Sequence, residues 1–435
     1  MQVNRQITRR RLIQTSAVVA GGVFVNPSAA QESNSPNERL NIASIGCTGR
    51  AAGNLDGVAS QNIVAIADID TNLLEKGSAR FEGAAKYSDF RELLDKEHEK
   101  IDAVVVSTPD HCHAPAAAMA LRMKKHVYCE KPLSHTVKEA RVLAELAKRN
   151  NLQTQMGTQI HAGDNYRRVV ELVKSGAIGD VDRVHVWANA VYTGAKFKYT
   201  EKPANVNWDL WLGPAVERPY SEGVHPFNWR RFWDYGTGSL GDFGCHFMDL
   251  VHWALDLRNP THVSAKGPEV DEVSTPAYTI VDYQYPKRGK LPGVHLTWYD
   301  SGKRPEILKT LKDKDGNVLD WGAGQLFIGS KGMILSNYGS HLLLPEDKFI
   351  DFKRPEQSIP KSIGHHAEWL KAIRDGGTTT CNFDYSGALT ESVLLGTVAY
   401  RAGESIEWDS KRLRVKNSEK AQNLIHKEYR KGWDL

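Results

Sequence analysis

The sequence predicts an N-terminal doubly wound α/β domain on a parallel sheet, followed by an α+β domain on a large, mostly antiparallel open sheet. Between residues 40 and 156, short apolar runs alternate with helix-like segments, the rhythm of a parallel sheet covered on both faces. The first run ends in a glycine-bearing turn that opens a helix. After Gly157 the runs lengthen and alternate, as strands of an antiparallel sheet do. A chain of 435 residues is long enough for two hydrophobic cores.

In chain order, residues 1–30 carry Arg5, Arg9, Arg10 and Arg11 and no acid, then a weakly apolar run from Leu12 to Val25 and small residues at Ser28-Ala29-Ala30. This pattern resembles a twin-arginine signal peptide, and the run is too short to span a bilayer. Residues 31–38 read as a polar linker. Strands are expected at Leu40 to Ile45, Ile63 to Ala67, Ile101 to Val106, His126 to Cys129 and Leu152 to Met156. Helices are expected from about Gly49, over Ala114 to Met123 and over Val137 to Asn150, giving a nucleotide-binding domain over 39–157. The second domain, 158–435, opens with a helix over Asn165 to Ser175 and a strand over Val181 to Asn189. Further strands are expected at Tyr278 to Tyr285, Val294 to Tyr299 and Gln325 to Ile328. Trp187, Tyr192, Trp208, Trp211, Trp229 and Trp233 crowd its first part and read mainly as core or interface, with a few left for sugar stacking.

The net charge of +4 comes wholly from the four arginines at the start, so the remainder argues for neither a nucleic-acid partner nor an anionic membrane surface. The five cysteines, Cys47, Cys112, Cys129, Cys245 and Cys381, are scattered and form neither a disulfide framework nor a zinc knuckle.

The turn Gly46-Cys47-Thr48-Gly49-Arg50-Ala51 sits where a pyrophosphate would meet helix N–H groups. Thr48 occupies the position usually held by the second glycine, so either Gly49 supplies the room there or the loop follows a different path. Asp68 ends the second long strand, where an acid holds ribose hydroxyls and repels a 2′-phosphate, which favours NAD. Arg50 keeps NADP open as the alternative, because it could pair with that phosphate.

Thr108-Pro109-Asp110-His111-Cys112-His113 and Glu130-Lys131-Pro132 both follow strands, which points them at the nicotinamide end of a cofactor. With the glycine turn and Gly241-Asp242-Phe243-Gly244-Cys245-His246-Phe247-Met248-Asp249, they give a strong resemblance to the Gfo/Idh/MocA oxidoreductases over residues 39 to 410. The resemblance implies a Rossmann-type first domain, NAD or NADP bound by Gly46, Thr48, Gly49, Arg50, Ala51, Asp68, Thr108, Pro109, His113, Glu130 and Lys131, and catalysis by Lys131, Asp242 and His246. A histidine suits removal of a hydroxyl proton while a hydride leaves the carbon. Asp242, four residues earlier on a helix, would orient the imidazole, and Lys131 would stabilise the oxygen. Gln159, His161 and Arg230 are candidate substrate contacts and read equally well as interdomain packing. Asp249 and His252 follow His246 on a drifting stripe, so no metal site is expected, and His365-His366 reads as helix capping or surface.

An exported nicotinamide enzyme cannot draw on a free cofactor pool, so a tightly bound cofactor loaded before export is expected. Two chemistries satisfy this: oxidation of a secondary alcohol of one sugar or polyol with reduction of another that reoxidises the bound cofactor, and redox-neutral glycoside cleavage in which the hydride is returned. A non-catalytic sugar-binding protein is the third class. The partners expected are a small carbohydrate and further copies of the chain, as a dimer or tetramer, and the expected location is the periplasm.

Overall fold

The computed structural model describes residues 39–435, so the expected signal and most of the polar stretch before the first strand lie outside the described residues. Six strands come first: β1 (Asn41–Ile45), β2 (Asn62–Ala67), β3 (Ala85–Tyr87), β4 (Ala103–Val106), β5 (His126–Cys129) and β6 (Thr154–Met156). They are all parallel, in the order β3-β2-β1-β4-β5-β6. Helices α1 (Arg50–Gly57), α2 (Thr71–Ser78), α3 (Phe90–Glu97), α4 (Asp110–Arg122) and α5 (Val137–Arg149) alternate with them. The β4 sequence Ala-Val-Val-Val is buried at every position, as a strand covered on both faces requires. Asp70 caps α2, Asp89 caps α3, and Thr136 with Glu139 forms a reciprocal capping box on α5, so side-chain oxygens take up N–H groups that each helix start leaves free. The strand order reverses between β1 and β4, which opens a crevice at their carboxyl ends.

Helix α4 begins at Asp110, four residues before the expected start. Asp-His-Cys-His has weak helix propensity, and tertiary bonds override it. Thr237 donates to the Asp110 carboxylate at 2.7 Å, and His113 lies between the carbonyls of Thr108 (2.8 Å) and Pro132 (2.7 Å). Pro115 lies inside the helix and has no N–H for the His111 carbonyl, which the Lys427 ammonium approaches at 3.4 Å.

The second half starts with α6 (Asp164–Lys174) and β7 (Val181–Trp187), then α7 (Trp208–Leu212) and α8 (Gly238–Leu255). Strands β8 (His262–Lys266), β9 (Ile280–Tyr285), β10 (Val294–Tyr299), β11 (Gly324–Gly329), β12 (Gly332–Ser336) and β13 (His341–Leu344) follow. After them come α9 (His365–Asp375), α10 (Phe383–Ala402), β14 (Ile406–Asp409), β15 (Arg414–Val415) and α11 (Glu419–Leu424). The nine-stranded sheet runs β13-β12-β11-β7-β10-β9-β8-β14-β15, with β7 and β10 parallel and the other pairs antiparallel. Helix α10 is buried along most of its length and packs on α5. A Cβ on Gly387 would stand 3.1 Å from that of Ala144, so glycine permits the close approach. Arg141 forks onto Glu391 at 3.0 and 2.7 Å across the same contact.

Trp208 and Trp211 stack at 4.5 Å in a core with Trp229 and Tyr235, while Trp187 and Trp233 are buried elsewhere. His365-His366 departs from expectation, because neither ring is a surface group or a cap. His365 Nε2 lies 2.7 Å from the Met156 carbonyl, and His366 stacks on Tyr128 at 4.7 Å, since α9 packs its first turn against the parallel sheet.

Candidate active site

A cleft of about 500 Å³ lies at the carboxyl ends of β1, β2, β4 and β5, where the strand order predicts it. Gly46 has φ +89°, and a Cβ there would stand 2.8 Å from the Ser107 carbonyl oxygen, so only glycine fits between the two strand ends. Gly49 has φ +56° with nothing within 4 Å of an added Cβ. It supplies the open turn that Thr48 cannot, and α1 starts at the next residue with Ala51 buried in its first turn. Thr108 and Pro109 line the cleft, and the Thr108 hydroxyl is buried without a partner in the protein.

Asp68 lines the cleft as expected. It accepts from the Asp70 N–H at 3.1 Å and faces the Cys47 N–H and thiol at 3.4 and 3.3 Å, and burial lifts its carboxyl above the ordinary range. Arg50, the alternative partner for a 2′-phosphate, lines the same cleft and is bonded away from Asp68. Its Nε donates to Glu130 at 3.0 Å and its Nη2 to Asn54 at 3.1 Å. Glu130 follows β5, three strand spacings or about 14 Å from the end of β2. Glu130 also accepts from Asn54 and Gln159, each at 3.0 Å. Burial alone would raise its carboxyl, but Lys131 and Arg50 hold it below the usual value.

At the other end, the Lys131 ammonium forms an ion pair with Asp242, with 14% and 8% of the two side chains exposed. Burial opposes both charges, yet each keeps the other ionised: Lys131 is shifted up by Asp242 and Glu130, and Asp242 down by Lys131 and Arg230. Arg230 Nε stands 3.9 Å from Asp242, with its guanidinium over Trp229 (4.1 Å) and Phe227 (4.6 Å). Arg230 lines the cleft, and the Tyr192 hydroxyl interacts with Asp242.

His246 stands one turn further along α8. Asp242 does not orient it, because that carboxylate is taken by Lys131, and His246 Nδ1 is buried without a partner. Burial and then Lys131 push the imidazole down to about 4, so it is neutral at pH 7. Tyr338, from the β12–β13 turn, meets its ring edge-on at 6.4 Å.

Gln159 and His161 line no part of the cleft. Gln159 donates to Tyr128 and Glu130, while His161 is sealed against Asp249 at 2.9 Å and stacks on Trp253 at 4.0 Å. His161, Asp249 and Cys381 offer ligand atoms within 4.8 Å of one another, but Asp249 is already bonded by His161 and by Tyr385 at 2.7 Å. Sequence reasoning passed over Asp110, a buried carboxyl in the cleft wall that burial raises to about 6. Its partner Thr237 lies 127 residues away, so no local pattern announces it.

Residues 40–158 match the oxidoreductase family with an NAD-binding Rossmann fold, and residues 165–292 match that family's C-terminal alpha/beta domain. An uncharacterized oxidoreductase of Schizosaccharomyces pombe is 24% identical over 67% of this chain and 74% of its own length. Glucose-6-phosphate 3-dehydrogenase of Bacillus subtilis is 25% identical over 50% of this chain and 53% of its own length. Levoglucosan dehydrogenase of Pseudarthrobacter phenanthrenivorans is 27% identical over 44% of this chain, so the match spans about half of each of these two named dehydrogenases or less. Among solved structures, the WlbA dehydrogenase from Bordetella pertussis in complex with NADH and UDP-GlcNAcA superposes with a TM-score of 0.60 at 15% identity, covering 85% of this chain and 99% of that one. GenD2 from gentamicin A biosynthesis in complex with NAD gives 0.58 at 19% identity, covering 89% and 100%. With both of the family's domains matched in order, over more than half of its length, the chain belongs to the Gfo/Idh/MocA oxidoreductase family.

Proposed function

We propose that the protein oxidises a secondary alcohol of a sugar or polyol with NAD. The observation that carries this reading is the buried Lys131–Asp242 ion pair: Lys131 stands in the cleft wall, and Asp242 and the neutral His246, one turn apart on α8, stand behind that wall. The cleft suits NAD: Gly46 and Gly49 leave room for phosphates, the Thr108 hydroxyl lacks a protein partner, and Asp68 stands without a cation to receive a 2′-phosphate. Bound NAD supplies the hydride acceptor. Lys131, held charged by Asp242, stabilises negative charge on the substrate oxygen, and His246 takes its proton. The names of the two sugar dehydrogenases support a carbohydrate substrate.

The cofactor is tightly held. Residues 205–207 pair with the β2–α2 loop through Thr71 N–H to the Asn205 carbonyl (2.9 Å), Asn207 N–H to the Ile69 carbonyl (3.0 Å) and Asn205 Nδ2 to Asp70 (2.8 Å). Leu210, Trp211, Pro226 and Phe227 from the same stretch wall the cleft. Export of the folded, loaded enzyme by the twin-arginine route agrees with cysteines that are all free and buried. No described helix is long and apolar enough to cross a membrane.

Redox-neutral glycoside cleavage is the second reading, favoured by Asp110, a further carboxyl near neutrality in the same cleft wall. One experiment separates them: bound-cofactor absorbance in a single turnover with free sugars and glycosides. The first reading expects reduction that persists until a second substrate reoxidises the enzyme. Transient reduction with release of sugar supports the second, and no reduction with any substrate overturns both.

A further inference from the structure

Behind the catalytic cleft lies a second cavity, of about 200 Å³. Its walls come from the first turn of α5, residues 233–237 ahead of α8, the last turns of α10 and the chain from 424 to 428. Thr237 belongs to both places, since it lines this cavity and holds Asp110 in the cleft.

About half of the wall is apolar, with Trp233, Leu394, Val398 and Leu424, and Arg401 is set into that part, with Asp234 also in the wall. The Arg401 guanidinium lies over the Trp233 ring at 5.0 Å and makes no hydrogen bond or ion pair with any described residue. Asp234, the acid that acts on it, is held by Arg218 at 2.5 Å, and burial lowers the arginine's proton affinity. Lys427, the other cation of the wall, is answered by Glu139 at 3.4 Å, and Glu428 stands in solvent with 96% of its side chain exposed.

The Arg401 guanidinium is half-buried and open to the cavity, and its planar fork of donors matches the two oxygens of a carboxylate. A phosphate dianion would need a second free cation, which the wall lacks. We propose that this cavity binds a small monocarboxylate with an apolar body, its oxygens on Arg401 and its body against Trp233, Leu394 and Val398. The site is separate from the catalytic cleft, so the proposal stands whatever the substrate is.

The test is calorimetric titration of the full chain with benzoate, beside benzyl alcohol as the uncharged comparator and inorganic phosphate as the other anion. Saturable one-to-one benzoate binding is expected, at least tenfold tighter than either comparator. Arg401→Gln should weaken it at least tenfold. Val216 is 59% exposed and lines the cavity, so Val216→Trp should block entry while leaving the fold and the bound nucleotide unchanged. Absence of benzoate binding, equal binding of benzyl alcohol, tighter binding of phosphate or unaltered benzoate affinity in Val216→Trp would each overturn the proposal.

Discussion

Lys131 and Asp242 carry opposite charges out of water, so neither can be removed without stranding the other. Asp242→Asn should therefore destabilise the protein by about 3–5 kcal/mol, read by chemical denaturation, and also abolish turnover. Lys131→Met combined with Asp242→Asn should recover part of that stability and none of the activity, because the pair acts as a unit. His246 makes a separate prediction about pH. With its imidazole lowered to about 4, the neutral base form is present above that value and is lost as pH falls through it. The acid limb of kcat/KM should then lie near 4, well below the ordinary histidine value, and His246→Ala should abolish hydride transfer while nucleotide stays bound. A limb near 6 that vanishes in Asp110→Asn would assign the limb to Asp110 instead. The proximity of Lys131, Asp242 and His246 was legible in their motifs. Their pairing was not, because helical spacing offers Asp242 to His246, whereas the fold brings Lys131 from 111 residues away.

The β1–α1 turn shows how an element can depend on one atom. Gly46→Ala would drive a Cβ into the Ser107 carbonyl in a backbone region hostile to side chains, so it should cost about 1–3 kcal/mol and weaken nucleotide binding, measured by thermal unfolding and NAD titration. Asp68→Ala leaves that turn intact and should narrow any preference for NAD over NADP by about 1–3 kcal/mol. Strands such as β1 and β4 were legible, since burial on both faces writes itself as runs rich in Val, Ile and Ala. The Ala-Lys-Tyr of β3 is too short for a periodic signal, and the hairpin strands β12 and β13, Gly-Met-Ile-Leu-Ser and His-Leu-Leu-Leu, are apolar runs without alternation that pairing in the finished sheet defines. The start of α4 was hidden for a related reason, its polar first turn being stabilised by Thr237 and by carbonyls elsewhere.

The whole molecule buries several histidines in their neutral form. His111, His252 and His365 are each pushed by burial to about 3. The unfolded chain binds a proton at each of these near the ordinary pKa of about 6.5 and the folded chain does not, so stability is full above that pH and falls as pH drops toward 3. Each contributes a slope of about 1.4 kcal/mol per pH unit in that window, which denaturation midpoints between pH 7 and pH 4 would reveal. The contact of residues 205–207 with the β2–α2 loop acts at the same scale. Asn205→Ala removes the bond to Asp70 and should speed nucleotide release, followed by dilution into competing nucleotide, with kcat at saturating NAD unchanged. That stretch is also covalently continuous with β7 on one side and with α8, which carries Asp242 and His246, on the other. Walling the cleft and seating α8 therefore fall to one stretch of chain. Under the proposed export of the folded chain, shape would become a certificate of contents: an export gate that tests only whether the chain is compact would also select the copies that carry their cofactor.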